Sequence, residues 1–368
     1  MSKKEKNKAF ANKAQKSIVA IPFKEIFATI KDLIQKAILL LINLPLKAIF
    51  VFFFINPIKA IGGFAASWWR AIIALFLAII FLYYPIGGYL IHKIDTNPNP
   101  QISIEKGNSH TVAAFEYLIN REINEHLWTP NLPFFFPSYF LRNMPNFQLG
   151  IFSSLSSFSQ IFSSRIDPST IQAIQGDLSK ASELLQYPGT VWMFSSENRL
   201  IPAPSSTSKY RESLRLLRQF NSGLNRNIET FHPNENDFQI FLRRVSYDLS
   251  KTSRDLSEHI RENSGNWFDF RASNVFFYHK GKLYAYFIIL SALGEDYQDI
   301  IVGNNLYESW TYLLKALEQG SSLSPWIIRN GSLNSVNAPN HLLYQAFYAL
   351  NAQNTILKIL ATLEKKER

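Results

Sequence analysis

Residues 71–91 read Ala-Ile-Ile-Ala-Leu-Phe-Leu-Ala-Ile-Ile-Phe-Leu-Tyr-Tyr-Pro-Ile-Gly-Gly-Tyr-Leu-Ile, 21 residues without a charge. As an α-helix this run is roughly 31 Å long, about the thickness of a bilayer's hydrocarbon core. Trp68, Trp69 and Arg70 precede it, and Tyr83, Tyr84, Tyr89, His92 and Lys93 crowd its far end, as interfacial aromatic belts do. Pro85 and the pair Gly87-Gly88 are tolerable near the end of such a helix where the freed backbone groups find partners. The competing reading, a buried core helix, is disfavoured by the length of the uncharged run. Nor does the run resemble a cleaved signal peptide, being too long for an h-region and lacking an Ala-x-Ala exit. The sequence therefore predicts a retained transmembrane helix over 67–93, with Trp68, Trp69, Arg70, Tyr83, Tyr84 and Lys93 at its membrane interfaces.

Outward from that segment, charge is distributed unevenly. The whole chain carries +10, yet residues 1–70 hold 12 Lys and Arg against 3 Asp and Glu, and the remaining 298 residues hold 26 against 25. Only Lys93, Lys106 and Arg121 are basic in the thirty residues after the span. By the positive-inside rule the N-terminus is expected in the cytoplasm and the large C-terminal part outside, in the periplasm of a bacterial cell. The near-neutral large domain argues against nucleic acid as a partner. A charged fraction of 18%, below the usual quarter, fits a chain with apolar surface that avoids water. With no Cys, disulfides, thiolate-ligated zinc, iron–sulfur clusters and a cysteine nucleophile are excluded.

Residues 1–16, rich in Lys, Asn and Ala, read as a basic disordered tail. Over 17–66 a small pattern, Pro-Φ-Lys-x-Ile, recurs at Pro22–Ile26, Pro45–Ile49 and Pro57–Ile61, and proline suits the first helical position. Ile26, Ile30, Leu33, Ile34, Ala37, Ile38 and Leu41 recur at helical spacing, opposite Lys24, Lys31 and Gln35. These are read as amphipathic helices in the inner-leaflet interface. The apolar run Ala37–Ile55 supports an alternative, a true span forming a hairpin. That would return the C-terminal domain to the cytoplasm, although Lys47 costs roughly 3 kcal/mol at a helix centre.

Residues 94–104, with Asn-Pro-Asn-Pro, read as a linker, and 105–368 as a mainly helical domain with at most a minor β element. Helices are expected over Thr111–Leu127, Ser208–Leu224, Phe238–Ile260, Leu283–Leu293, Tyr307–Leu317 and His341–Leu363. Thr190–Phe194 is the best strand candidate, and Val275–Tyr286 is a possible hairpin turning at Lys280-Gly281. The segment 127–164 holds a single charge, Arg142. Its first half is an aromatic, proline-broken loop. Its second half is a helix with Phe147, Ile151, Leu155, Phe158 and Phe162 on one face. Burial at the centre of the domain is the plainer reading. The other is docking on lipid or a partner helix by Phe134, Phe135, Phe136, Phe147 and Phe158.

Catalytic signals are sparse. No two of the seven histidines have metal-site helical spacing, and no Walker loop, nucleophile elbow or dinucleotide fingerprint occurs, so no metal or cofactor is expected. Asp269, Arg271, Lys282 and His341 are the weak catalytic candidates, each with a structural alternative: caps and ion pairs for Asp269 and Arg271, a helix start for His341. Asn330-Gly331-Ser332 fits a glycosylation acceptor but reads better as a turn.

The motifs Trp68-Trp69-Arg70, His92–Asp95, Asn143–Gln148, Leu185–Gly189, Trp267–Arg271, Gly281–Tyr286 and Pro339–His341, in that order over roughly residues 68–360, resemble an uncharacterised proteobacterial inner-membrane family of unknown function. The resemblance implies a bacterial single-span envelope protein and carries no activity. The sequence expectation is thus a bitopic protein whose outer helical domain binds or scaffolds an envelope protein partner. An anchored enzyme acting on peptidoglycan or lipid intermediates is the alternative. Convergence of the four candidate side chains in one open cleft would favour the enzyme. The oligomeric state is not set by these signals.

Overall fold

The computed structural model describes residues 32, 35, 36, 57–166, 176–193, 202–226, 231–263, 269, 271–331 and 339–366, with the side chains of 57–67, 70 and 366 outside the description. The basic tail, the run Ala37–Ile55, the side chain of Arg70 and, apart from residues 32, 35 and 36, which are helical, the interfacial segment up to residue 56 therefore lie outside the described residues. The protein is mainly α. Its helices are α1 (Pro57–Ile91), α2 (His110–Asn120), α3 (Asn143–Ile166), α4 (Asp177–Leu185) and α5 (Ser206–Asn225). They continue with α6 (Glu235–Asn263), α7 (Ala272–Asp296), α8 (Gln298–Gly303), α9 (Tyr307–Ser322) and α10 (His341–Lys366). Among the described residues there is no named strand, only an isolated bridge between Asn330 and Asn340.

The chain divides into two compact units, 1–79 and 80–368. In the first, α1 opens at Pro57, the third copy of the Pro-Φ-Lys-x-Ile pattern, and so begins ahead of the boundary expected at residue 67. Ala71–Ile91 is long and apolar enough to cross a membrane. Trp68 and Trp69 are exposed, and so is every side chain from Ala71 to Tyr83, unlike a soluble core helix, which buries at least one stripe.

The second unit is built around α7, which packs against α2, α3, α6, α9 and α10. From His279 to Leu290 α7 is buried without interruption. A helix enclosed on every side has no polar stripe, so its periodicity is weak and its aromatic, β-branched composition imitates a strand. Val275–Tyr286 is therefore not a hairpin. Gly281 is not a turn either: it meets Gly150 of α3. A Cβ on Gly281 would sit 2.1 Å from the Phe147 carbonyl oxygen, and one on Gly150 would sit 1.9 Å from that of Tyr278. Residues 190–193 are also not a strand; Val191 is held instead by Ser206, whose backbone N–H donates to the Val191 carbonyl at 2.9 Å.

Other predicted helices appear close to where the apolar spacing put them. α2 opens on a capping Ser109, whose hydroxyl accepts from Val112 N–H, while Asp296 accepts from His110 N–H at 2.8 Å and Thr111 N–H at 2.9 Å. Instead of running on to Leu127, the chain widens after Asn120 into a π-turn over Arg121–Glu125.

Enclosure within α7 has a titration consequence. His279 is buried, and this burial, with the nearby charges of Lys282 and His259, pushes its imidazole down to about 3. Between pH 6.5 and 3 the unfolded chain binds a proton that the folded chain refuses, so stability falls as pH falls through that window. Each pH unit costs about 1.4 kcal/mol at full effect. From pH 6.5 to 5 the wild type should lose about 2 kcal/mol more than His279→Gln, read from urea unfolding followed by circular dichroism. Equal acid sensitivity in both proteins would refute a buried neutral His279.

Candidate functional site at the exit of the apolar helix

Within the second unit the final turns of α1 meet the loop that the sequence marks as aromatic and proline-broken. The Tyr83 hydroxyl donates to the Phe135 carbonyl at 3.0 Å and the Tyr84 hydroxyl to the Phe134 carbonyl at 2.9 Å. Prolines 130, 133 and 137 keep this loop out of regular structure, and it folds as successive turns ending in a short 3₁₀ helix, Pro137–Phe140. Gly87 and Gly88 permit the approach. A Cβ on Gly87 would lie 2.5 Å from Pro137 Cβ and Cγ, while Gly88 faces Leu141. The glycine pair thus makes room for the loop.

Those contacts leave the loop's aromatic rings pointing outward. Phe134 and Phe140 are each 67% exposed, and Phe135, Tyr139, Trp192 and Met193 are exposed beside them. Ring contacts join the set: Tyr84 to Phe140 at 4.9 Å and Phe135 to Trp192 at 5.7 Å between centroids. Phe136 is half-buried. Phe147 and Phe158, however, are fully buried in the main core, against Tyr284 and against Phe115 and Phe241 respectively, so they are unavailable for docking. The two readings of 127–164 therefore divide the segment, with its helix in the core and its loop at the surface.

A buried ionic knot holds this collar of exposed aromatic rings and the linker 94–104 in place. Arg121 and Glu122, adjacent on the π-turn, pair at 2.6 Å with both side chains out of water. The Arg121 guanidinium also donates to the Tyr284 hydroxyl at 2.8 Å and reaches the Asp95 carbonyl at 3.4 Å, and the Tyr284 hydroxyl donates to the Asn97 carbonyl at 3.1 Å. From Glu122 the network continues through Gln148, whose amide donates to Glu122 at 3.1 Å and to the Leu127 carbonyl at 3.0 Å. The Gln148 oxygen accepts from the N–H and hydroxyl of Thr129. Burial is the largest single influence and would raise the Glu122 carboxyl; the Arg121 charge together with His126 and the Gln148 hydrogen bond outweighs it and holds the group below the ordinary carboxylate range. One knot thus ties the linker after α1, the start of the aromatic loop, and helices α3 and α7 together. It was not singled out in the sequence, although adjacent Arg and Glu inside the periodic run 111–127 were its one visible trace.

The four catalytic candidates do not converge in an open cleft: three stand at helix starts at one end of the unit, and Lys282 is buried farther along α7. Asp269 caps α7 through the N–H groups of Arg271 and Ala272, and its other oxygen takes His259 at 2.8 Å and Asn330 at 3.1 Å. Arg271 is the exposed residue flanking that helix start. His341 opens α10 and accepts the Arg329 N–H through Nδ1 at 3.0 Å. Lys282 lies roughly 16 Å along α7 from Arg271 by helical rise, buried with its ammonium near the Tyr278 ring. Asp269 and His341 thus sit at the same end of the unit as parts of caps, bridged through Asn330 and Asn340, and Lys282 stands apart. Asn330 is itself buried in this bridge, which leaves it unavailable for glycosylation.

An open cleft of about 670 Å³ runs beside α5, lined by Arg211, Arg215, Arg218 and Arg226 among others, and none of the four candidates reaches it. Two of its arginines are paired, Arg215 with Glu212 at 2.6 Å and Arg218 with Glu116 at 3.7 Å. Among the described residues no cluster of three or more His, Asp or Glu is placed to hold a metal ion. No family model, curated protein or solved structure matches the chain.

Proposed function

We propose that the protein is a bitopic inner-membrane protein, anchored by Ala71–Ile91, whose helical domain rests on the outer bilayer surface and serves as a binding or scaffolding module for another envelope protein. The observation that carries this reading is the exposed aromatic collar bonded to the last turns of the apolar helix. Amphipathic aromatic rings next to the end of a span belong in the headgroup region, where their apolar faces leave water and their polar edges remain hydrated. The four candidate side chains meet in no open cleft, three of them standing at helix starts and Lys282 being buried, which favours binding over the enzyme alternative. The low positive charge after the span supports a cytoplasmic N-terminus and a periplasmic domain.

Because the chain has no cysteine, one introduced thiol reports on one place. Phe134→Cys or Phe140→Cys, labelled with an environment-sensitive dye in full-length protein in nanodiscs, should emit blue-shifted light. Headgroup-proximal spin-labelled lipid should quench that emission. The same dye at Val302→Cys, an exposed residue of α8 just past the end of α7 opposite Ser273, which bonds Asn143 beside the collar, should remain unquenched. Equal quenching, or none at the collar, would remove the docked orientation. Reporters fused to the C-terminus test the side of the membrane: activity of a cytoplasm-specific reporter would overturn the single-span topology.

A further inference from the structure

Helix α10 carries two apolar faces. One packs on α6, α7 and α9 and buries Leu342, Ala346, Ala349, Ile356, Leu360 and Leu363, among others. The other has no partner among the described residues: Leu343, Phe347, Leu350 and Leu357 are between 41 and 55% exposed, and Asn354 and Ala361 continue their line in the open. The spacing along that line is four, three, four, three and four residues. That is the heptad seam of a coiled coil, with leucine at each d position and Phe347, Asn354 and Ala361 at a. An ordinary surface helix of a globular domain shows a single apolar stripe, so the second one calls for a covering surface.

We propose that this face of α10 pairs in parallel with α10 of a second copy, making the protein a homodimer through a short two-stranded seam. Asn354 selects that occupant. In the middle of an otherwise apolar stripe, its amide would lose water against lipid or a purely apolar groove and gain no partner. In a parallel two-fold pair it lies opposite Asn354 of the other copy, and the two amides bond to each other, as a-position asparagines do when they set register and a two-stranded state. Charges agree with the arrangement. No Asp, Glu, Lys or Arg occurs from Leu342 to Leu357, and across the seam Gln353 of one copy faces Lys358 of the other, so no like charges oppose. The seam covers just under three heptads, short for a free coiled coil. The helix, however, is already held by its buried face, so the seam must supply association alone. The inference rests on α10 and is independent of which side of the membrane the domain occupies.

The test uses full-length protein in native membranes and in detergent. Asn354→Cys and Leu343→Cys, each the only thiol in its chain, should both form disulfide-linked dimers on mild oxidation, because residues at equivalent seam positions of a parallel pair meet within disulfide reach. Arg254→Cys, exposed on α6, should not. Leu350→Arg and Leu357→Arg should halve the protein mass measured by light scattering while helix content and melting temperature hold. Crosslinking at 343 and 354 no better than at 254, or a monomeric wild type, would overturn the dimer and leave the face to lipid or to another protein. Crosslinking at 354 without 343 would overturn the parallel register.

Discussion

Gly150→Ala and Gly281→Ala are each expected to lower stability by 3 kcal/mol or more, at or beyond the upper end of about 1–3 kcal/mol for overpacking a well-filled core. At this crossing the two helices touch backbone to backbone. The new methyl would meet a carbonyl oxygen at 1.9 Å for residue 150 and 2.1 Å for residue 281, and neither oxygen can rotate away. Relief requires α3 and α7 to separate, which opens the main core around Phe147, Ile151 and Leu283. Gly303→Ala is the control: a Cβ there meets nothing within 4 Å, and at the end of a helix alanine should be neutral or stabilise by up to about 1 kcal/mol. Urea unfolding of the full-length chain, followed by circular dichroism, measures all three. Wild-type stability in Gly150→Ala or Gly281→Ala would mean that the helices do not cross at these residues.

Glu122→Gln carries the second large effect. It keeps the shape of the side chain but removes the charge and turns one of two accepting oxygens into a donor facing Arg121 or Gln148, leaving the Arg121 guanidinium buried without a counter-charge. Breaking one partner of a buried pair costs about 3–5 kcal/mol, which for a domain of this size is a fall in melting temperature of roughly 6–20 °C. The pH dependence has a definite sign. Because the folded carboxyl is held below its ordinary range, its contribution is present in full above the unfolded pKa. It is lost as pH falls through the folded value, and Glu122→Gln should abolish that acid-sensitive component. A readout specific to the knot accompanies it: protease cleavage within 94–104 should accelerate, since Arg121 and Tyr284 hold the Asp95 and Asn97 carbonyls. Unchanged cleavage together with unchanged melting would show that the pair does not tether the linker.

The helices most legible in the sequence were those with one buried and one wet face. In α5 and α6, Tyr210, Leu214 and Leu217, and Phe238, Phe241 and Leu249, recur at helical spacing within the expected ranges, and all of them are buried. α7 was legible only from Leu283 onward because full enclosure erases the contrast on which periodicity depends. α4, α8 and the 3₁₀ turn at Pro137 are short and escaped notice for want of enough turns to establish a period. At the candidate site the aromatic residues were visible by composition, but which of them face outward was not. Phe134 and Phe147 stand in the same uncharged segment, and only the packing of α3 into the core separates them.

What the sequence determined by itself was the apolar helix, the mainly α class and the asymmetric charge around residue 71, because each is a property of composition or local spacing along one segment. What the tertiary structure alone decided was the meaning of isolated residues. Gly281 became a helix crossing, and Asp269 and His341 became parts of caps. Arg121 and Glu122 became a buried knot, Tyr83 and Tyr84 the clasps of an aromatic collar, and the outer face of α10 an open heptad seam. These roles depend on contacts between positions far apart in the chain, and local pattern carries no record of which distant backbone or charge will stand opposite.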